Sequence, residues 1–315
     1  MNDLERENHI SIGHQRFSWT EFEESEDFDF SHKNFSLSPI AFIVDDSENA
    51  LKILVKMNRK KLDGTIILRS RMTDLVNDLL VASKYSVFDS KSQQWVHLAE
   101  NITNPCRISL LTSGTTGSPK LIHHTWDSIN TSGNLRNADS RNWILPYQIG
   151  TYAWFQLVTL SMFSENQSLT ICDELDFEKI FQLANDSGAD SISATPTFWR
   201  MAIMQAQEET LGSLMFKQIT LGGEIVDQNI LDSLRELYPE SRITHIYAST
   251  EAGASIVVND GKSGFPESFL TNHDRETSLK IEDGLLFIRS KFAGMNVSDE
   301  SGWVNTRDRV ECISG

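Results

Sequence analysis

From Pro39 onward, apolar positions fall into short runs separated by stretches with helical spacing. Ile40 to Val44 is a continuous apolar run and predicts a buried strand. Asp45, Asp46 and Ser47 then offer an N-cap, and Ala50 to Met57 continues as a helix. Gly64 to Leu68 predicts a second strand, Met72 to Ala82 a helix with apolar positions at Leu75, Val76, Leu79 and Leu80, and Tyr85 to Phe88 a third strand. Ile108 to Leu111 and Leu121 to His124 read as strands and Trp126 to Leu135 as a helix. The rhythm then repeats: strands at Trp143 to Leu145, Leu169 to Cys172, Ser191 to Ala194, Gln218 to Leu221 and Ile243 to Tyr247 alternate with helices at Tyr152 to Met162, Phe177 to Leu183, Thr197 to Gln205 and Gln228 to Leu237. Strands alternating with helices predict mostly parallel sheets covered on both faces. Ahead of this, His9 to Phe22 reads as a short strand pair leading into a helix, and Glu21 to Asp29 as a solvated acidic stretch. Beyond Ala252 the pattern changes to short strands divided by Gly, Asn and Asp turns, at Ile256 to Val258, Leu279 to Ile281, Leu285 to Arg289 and Trp303 to Val304. That predicts a small antiparallel unit. The expected division is 1–140, 141–252 and 253–315, with no sequence repeat between the two β/α halves.

Composition narrows the function classes. The 315 residues are 39% hydrophobic, ample for a large core. A net charge of −16 makes the surface a poor partner for nucleic acid or anionic membranes. An anionic ligand would therefore need a local positive site. No apolar run approaches a membrane span, and the charged start does not read as a signal peptide. Cys106, Cys172 and Cys312 are scattered without metal spacing, which suits free thiols in a reducing cytoplasm.

The most informative stretch is Leu111-Thr-Ser-Gly-Thr-Thr-Gly-Ser-Pro-Lys120. Glycines let the backbone turn and approach a ligand, successive N–H groups form an anion-binding concavity, and Lys120 adds a mobile cation. The spacing is not that of a Walker loop. Three further segments end strands or turns with polar chemistry: Thr220-Leu-Gly-Gly-Glu-Ile-Val226, His245-Ile-Tyr-Ala-Ser-Thr-Glu-Ala-Gly253 and Gly302-Trp-Val-Asn-Thr-Arg-Asp308. Each alone is an ordinary turn or surface residue.

Together, in this order, the four segments resemble the adenylate-forming superfamily, which contains acyl-CoA synthetases, adenylation domains of peptide synthetases, aryl-acid ligases and luciferases. The opening hairpin around Thr20-Glu21-Phe22 resembles it weakly. The resemblance implies an α/β core of two β/α-layered subdomains with a small antiparallel β subdomain. It also implies ATP-dependent activation of a carboxylic acid as an acyl-adenylate, with release of pyrophosphate and transfer to CoA or the phosphopantetheine thiol of an acyl or peptidyl carrier protein. Thr112, Ser113, Gly114, Thr115, Thr116, Gly117 and Lys120 would cradle the β- and γ-phosphates. Gly222, Gly223 and Glu224 would line the adenine with backbone, and Tyr247 would stack on it beside His245, Ala248 and Ser249. Thr250 would touch the α-phosphate, Glu251 would bind Mg²⁺ and Asp308 would grip the ribose. The acid pocket would involve Tyr147, Gln148, Tyr152 and Gly222, with Trp154, Phe155, Phe198 and Trp199 as nearby candidates better read as core.

Several positions depart from the family pattern. Ala248 stands where the family has glycine in its Tyr-Gly-x-Thr-Glu loop, His245 where it has asparagine, Arg307 where it has glycine before the ribose aspartate, and Gln148 where it has a gating histidine. The chain also ends shortly past Asp308, before the family's hinge and C-terminal lid. The expectation is an N-terminal core cut from a longer protein, binding nucleotide and turning over weakly. No acid follows the aromatic at Tyr147, so a neutral-tailed aryl or acyl acid is expected over an amino acid. The rival reading is a catalytically impaired nucleotide- or partner-binding module of the same fold.

Overall fold

The computed structural model describes residues 7–28, 38–99, 106–113, 118–133, 135–271 and 277–313. The N-terminal hairpin pairs β1 (His9–Ile12) with β2 (Gln15–Ser18) and runs into α1 (Trp19–Glu24). Ser18 and Glu21 cap that helix reciprocally, each side chain accepting from the other's backbone N–H. The acidic stretch therefore begins as a helix, anchored by the buried rings of Trp19 and Phe22. Its end, Asp29, lies outside the described residues.

The first sheet is built from β3 (Ile40–Val44), β4 (Gly64–Leu68), β5 (Ser86–Asp89), β6 (Gln94–His97), β7 (Ile108–Ser113) and β8 (Pro119–His124), in the order β6-β5-β3-β4-β7-β8. Strands β5, β3, β4 and β7 are parallel, and β6 and β8 close the edges antiparallel. α2 (Ser47–Lys60) starts where Asp46 accepts from the Asn49 N–H, and it ends at Lys61 in the left-handed conformation. α3 (Asp74–Ala82) covers the other face through Val76 and Leu80. The edge strand β6 carries no apolar run, which is why it escaped the sequence pattern.

The second sheet follows after a short α4 (Trp126–Ile129). The predicted helix to Leu135 stops here because Asn130 leaves helical geometry at ψ 72° and Gly133 turns the chain at φ 64°. β9 (Arg141–Ile144), α5 (Tyr152–Phe163), β10 (Gln167–Ile171), α6 (Phe177–Ser187), β11 (Ser191–Ala194), α7 (Pro196–Gln205), α8 (Glu208–Gly212), β12 (Gln218–Gly222), α9 (Gln228–Leu237), β13 (Arg242–Ser249) and β14 (Gly253–Val258) come in that order. The eight strands run β14-β13-β12-β11-β9-β10-β1-β2. β14 corrects the sequence reading: it pairs antiparallel with β13 rather than with the small β unit, because the loop between them is a tight reversal. The hairpin at the N-terminus likewise joins this sheet, through β10.

α5 is apolar around its whole circumference, as a helix enclosed on all sides must be. Its residues join Trp19, α2 and the inner faces of β3, β4 and β7 in the largest core cluster. A second cluster packs α6, α7 and α9 on β11 and β12. After α10 (Ser268–Thr271), strands β15 (Thr277–Glu282), β16 (Leu285–Ser290) and β17 (Val304–Arg309) form an antiparallel sheet whose core includes Ala252 and Ile256 next to β13. The architecture is thus mixed α/β, with two mainly parallel sheets and a small antiparallel one. Among the described residues no helix is long and apolar enough to cross a membrane. All three cysteines are free thiols.

Candidate active site

Ligands in parallel sheets sit beyond the carboxyl ends of the strands. Here those ends of β7, β11, β12 and β13, with the loop after β9, surround one cavity of about 800 Å³. That is within the range of ordinary ligand sites. Thr112 enters it from β7, Gly222 and Gly223 from β12, and Ala248, Ser249 and Thr250 from the end of β13. Tyr147, Gln148 and Tyr152 form the side toward α5, with Leu157 and Leu160 deeper in. Trp154, Phe155, Phe198 and Trp199 are core residues instead.

Gly223 takes φ 82°, a turn that leaves its backbone facing the cavity. Beside it, Glu224 turns its carboxylate away: it accepts from the Thr197 N–H at 3.0 Å and from the Thr197 hydroxyl at 2.6 Å, capping the first turn of α7. Tyr147 is held by a 3.0 Å hydrogen bond between its hydroxyl and that of Ser193, and the Tyr152 hydroxyl accepts from the Ala254 N–H at 2.9 Å. Burial pushes both phenols well above their ordinary pKa, so both remain protonated.

The loop after β13 is clamped from two sides. His124, fully buried on β8, meets the Thr250 carbonyl at 2.8 Å through Nε2, while its Nδ1 lies 3.0 Å from the Ser128 hydroxyl. A carbonyl only accepts, so Nε2 carries the proton and Nδ1 accepts from Ser128. Burial holds this imidazole below its usual pKa, consistent with the neutral form. From the other side the Gly294 N–H donates to the Glu251 carbonyl at 2.8 Å and the Met295 N–H to the His123 carbonyl at 2.7 Å. Gly253 completes the reversal at φ 81°, where a Cβ would lie 2.7 Å from the Phe292 Cβ. No local sequence pattern announced His124; its role follows from a contact 126 residues along the chain.

The other predicted residues that the structure describes do not line this cavity. Gly114 to Gly117 fall outside the described residues, as does the side chain of Ser113. Lys120 is exposed on β8, paired in register with Thr112. His245 is buried and gives its ring to the Gly264 carbonyl at 2.8 Å. The Tyr247 hydroxyl donates to the Asp308 carboxylate, joining β13 to β17. Arg307, where the family pattern has glycine, adopts φ 66°, the left-handed region that glycine enters without strain. The Glu251 carboxylate has no hydrogen bond or ion pair among the described residues. No three His, Cys, Asp or Glu side chains converge among the described residues to cage an ion. An open carboxylate of this kind suits magnesium, which is bound through one or two carboxylates plus phosphate oxygens.

Residues 32–280 match the family model described as AMP-binding enzyme. The chain belongs to the AMP-binding enzyme family. One curated relative, the D-alanine–D-alanyl carrier protein ligase of Streptococcus agalactiae serotype III (strain NEM316), is 28% identical over 158 residues, which is 47% of this chain and 30% of that ligase. The chain thus aligns with about a third of the relative's length. Among solved structures, the Klebsiella oxytoca NpsA N-terminal subdomain in complex with anthranilyl-AMSN superposes with a TM-score of 0.72 at 13% identity, over 97% of this chain and 92% of that one. The O-succinylbenzoate coenzyme A synthetase MenE of Bacillus subtilis, in complex with ATP and magnesium ion, gives 0.68 at 15% identity, over 96% and 73%. At such identity these two establish the fold of this AMP-binding enzyme.

Proposed function

We propose that this AMP-binding enzyme binds Mg·ATP and a carboxylic acid and joins them as an acyl-adenylate. The observation that carries the reading is the meeting of Thr112, Gly222–Gly223 and Ser249–Thr250 on one cavity whose other side is the apolar-floored pocket of Tyr147 and Tyr152. Polyphosphate, adenylate and acid would lie in that order along it. In the reaction a carboxylate oxygen attacks the α-phosphorus, the bond from that phosphorus to the β-phosphate bridging oxygen breaks, and pyrophosphate leaves. The protein's part is positioning and charge stabilisation. Thr112 to Gly117 and Lys120 would hold the β- and γ-phosphates, Thr250 the α-phosphate, Tyr247 the adenine ring and Asp308 the ribose hydroxyls. Glu251 would hold magnesium, which supplies charge neutralisation on the phosphates when bound. Clamping of the Thr250 loop by His124 and Gly294 keeps that donor in place before substrate arrives.

No carboxylate lines the cavity among the described residues, so nothing there would pair with a substrate ammonium. This favours an acid with a neutral tail, aryl or acyl, although the curated relative is named for D-alanine. The acceptor is a thiol: the names of the relatives point to a carrier protein in one case and to coenzyme A in the other. Exchange of labelled pyrophosphate into ATP, run across a panel of aryl and acyl acids, tests the reaction. Acid-dependent exchange is expected; its absence over the whole panel would sink the proposal. A second reading, a nucleotide-binding module without turnover, draws on Gln148 on the cavity wall and strained Arg307 beside the ribose carboxylate. It predicts AMP binding without exchange.

A further inference from the structure

Two arginines flank the carboxyl end of β4, and their surroundings differ. Arg69 is satisfied by two carboxylates, with contacts of 2.7 and 2.8 Å to Asp45 and 2.9 Å to each oxygen of Asp89. Arg71, two residues on, meets no carboxylate among the described residues. Its Nη2 donates to the Leu111 carbonyl at 2.7 Å, and its Nη1 is buried without an acceptor. Burial alone lowers its pKa, with no neighbouring charge offsetting it. A half-buried cation with one N–H group sealed off and no counter-ion is costly, so such an arrangement suits an anionic partner.

The cavity shows where that partner belongs. Arg71 lines it and is the only charged side chain among the described lining residues. Thr112 lines it too, and the Thr112 hydroxyl is also buried with no hydrogen-bond partner. The guanidinium is tethered to Leu111, the residue immediately before Thr112, and β4 and β7 are parallel neighbours that pair at Gly64 and Ile108. Two buried, unsatisfied donors, one cationic, thus belong to residues that line one space at the root of the phosphate-loop segment.

We propose that Arg71 and Thr112 form an oxyanion subsite that holds the terminal phosphates of the nucleotide and the departing pyrophosphate, with Arg71 as a second cationic anchor beside Lys120. The inference rests on the adenylating function proposed above. A guanidinium presents several N–H groups in a plane, so one edge can stay on Leu111 while the other grips phosphate oxygens. The acid's own carboxylate is the other source of the same chemistry, and the two are separable by experiment.

Calorimetric titration of the chain with Mg·ATP, AMP and inorganic pyrophosphate, for wild type, Arg71→Met, Arg71→Lys and Thr112→Val, makes the test. Loss of a charge-assisted contact predicts that Arg71→Met weakens ATP and pyrophosphate by about 10- to 100-fold and AMP by less than about twofold. Arg71→Lys should regain part of the loss. Thr112→Val should weaken the same two ligands by about 3- to 10-fold. Should thermal melts show that Arg71→Met does not fold, the Lys and Val variants carry the same comparison. Equal losses for ATP and AMP, or no loss for pyrophosphate, would overturn the subsite while leaving the adenylating function standing. Unchanged ATP and pyrophosphate binding with a raised KM for the acid in the exchange reaction would assign the oxyanion to the acid and likewise overturn it. Wild-type protein that binds neither ATP nor AMP would remove the proposed function, and the subsite with it.

Discussion

His124 gives the sharpest perturbation of the site's framework. Its ring is fully buried, donates to the Thr250 carbonyl at 2.8 Å, accepts from Ser128 at 3.0 Å and lies 5.7 Å from the Tyr152 ring centroid. His124→Ala removes two hydrogen bonds, each worth about 1 kcal/mol, and leaves a carbonyl and a hydroxyl without their partner at a site that cannot fully collapse. The expected loss of stability is about 2–4 kcal/mol. His124→Gln can place an amide N–H near the former Nε2 position, so it should recover at least half of that. Urea unfolding at pH 7.5 measures both. Because the broken contact is to Thr250, AMP affinity of folded His124→Ala should also fall, by about 3- to 10-fold, with Gln again intermediate; a fold of this kind tolerates sub-ångström shifts poorly at a preorganised loop. The reasoning is refuted if Ala costs less than about 0.5 kcal/mol, or if Gln is no better than Ala in both readouts.

Other expectations follow from the same geometry. His9, His123 and His124 are each held below the ordinary imidazole pKa, with burial the largest cause, so the unfolded chain takes up protons first as pH falls. Their contribution is therefore fully present above about pH 6.5 and is lost as pH drops from there toward their folded values. Asp63, pushed up to about 6 by burial, acts oppositely, because the folded state binds its proton first. Because His124→Gln removes one of the groups that destabilise the fold as pH drops, it should make the fall in unfolding free energy between pH 7 and pH 5.5 shallower than in the wild type; an unchanged slope in that variant contradicts the assignment. Gly253→Ala should cost about 2–4 kcal/mol, since the new Cβ meets Phe292 at 2.7 Å on a backbone at φ 81°, and a melt within a degree of wild type would argue against this tight reversal. Tyr247→Phe should cost about 1 kcal/mol by releasing Asp308 from β13, measured by urea unfolding, with no change expected only if the hydroxyl is fully solvated.

Much of the fold was legible where one local signal sufficed. Ile40–Val44, Gly64–Leu68, Ser191–Ala194 and Gln228–Leu237 have the bounds their apolar spacing predicts. Trp126 to Leu135 was over-read because its apolar spacing outlasts the capped turn that forms. β14 was assigned to the wrong sheet because a strand's own pattern does not state its partner. At the site, Thr112, Gly222, Gly223, Thr250, Tyr147, Gln148 and Tyr152 do meet at one cavity, as ordered motifs on strand ends allow. Arg71 and His124 were invisible for the opposite reason. Their significance lies in what they touch, or fail to touch, 40 and 126 residues away.

The central claim is that this cavity is part of a nucleotide site whose ribose is held by Asp308, itself hydrogen-bonded to Tyr247. Calorimetric titration with Mg·ATP, in wild type and in Asp308→Ala, addresses it most directly. Saturable binding in the wild type, weakened at least about tenfold in Asp308→Ala, is the predicted result. Absence of binding by wild type at millimolar nucleotide, or equal binding by the two proteins, would contradict it.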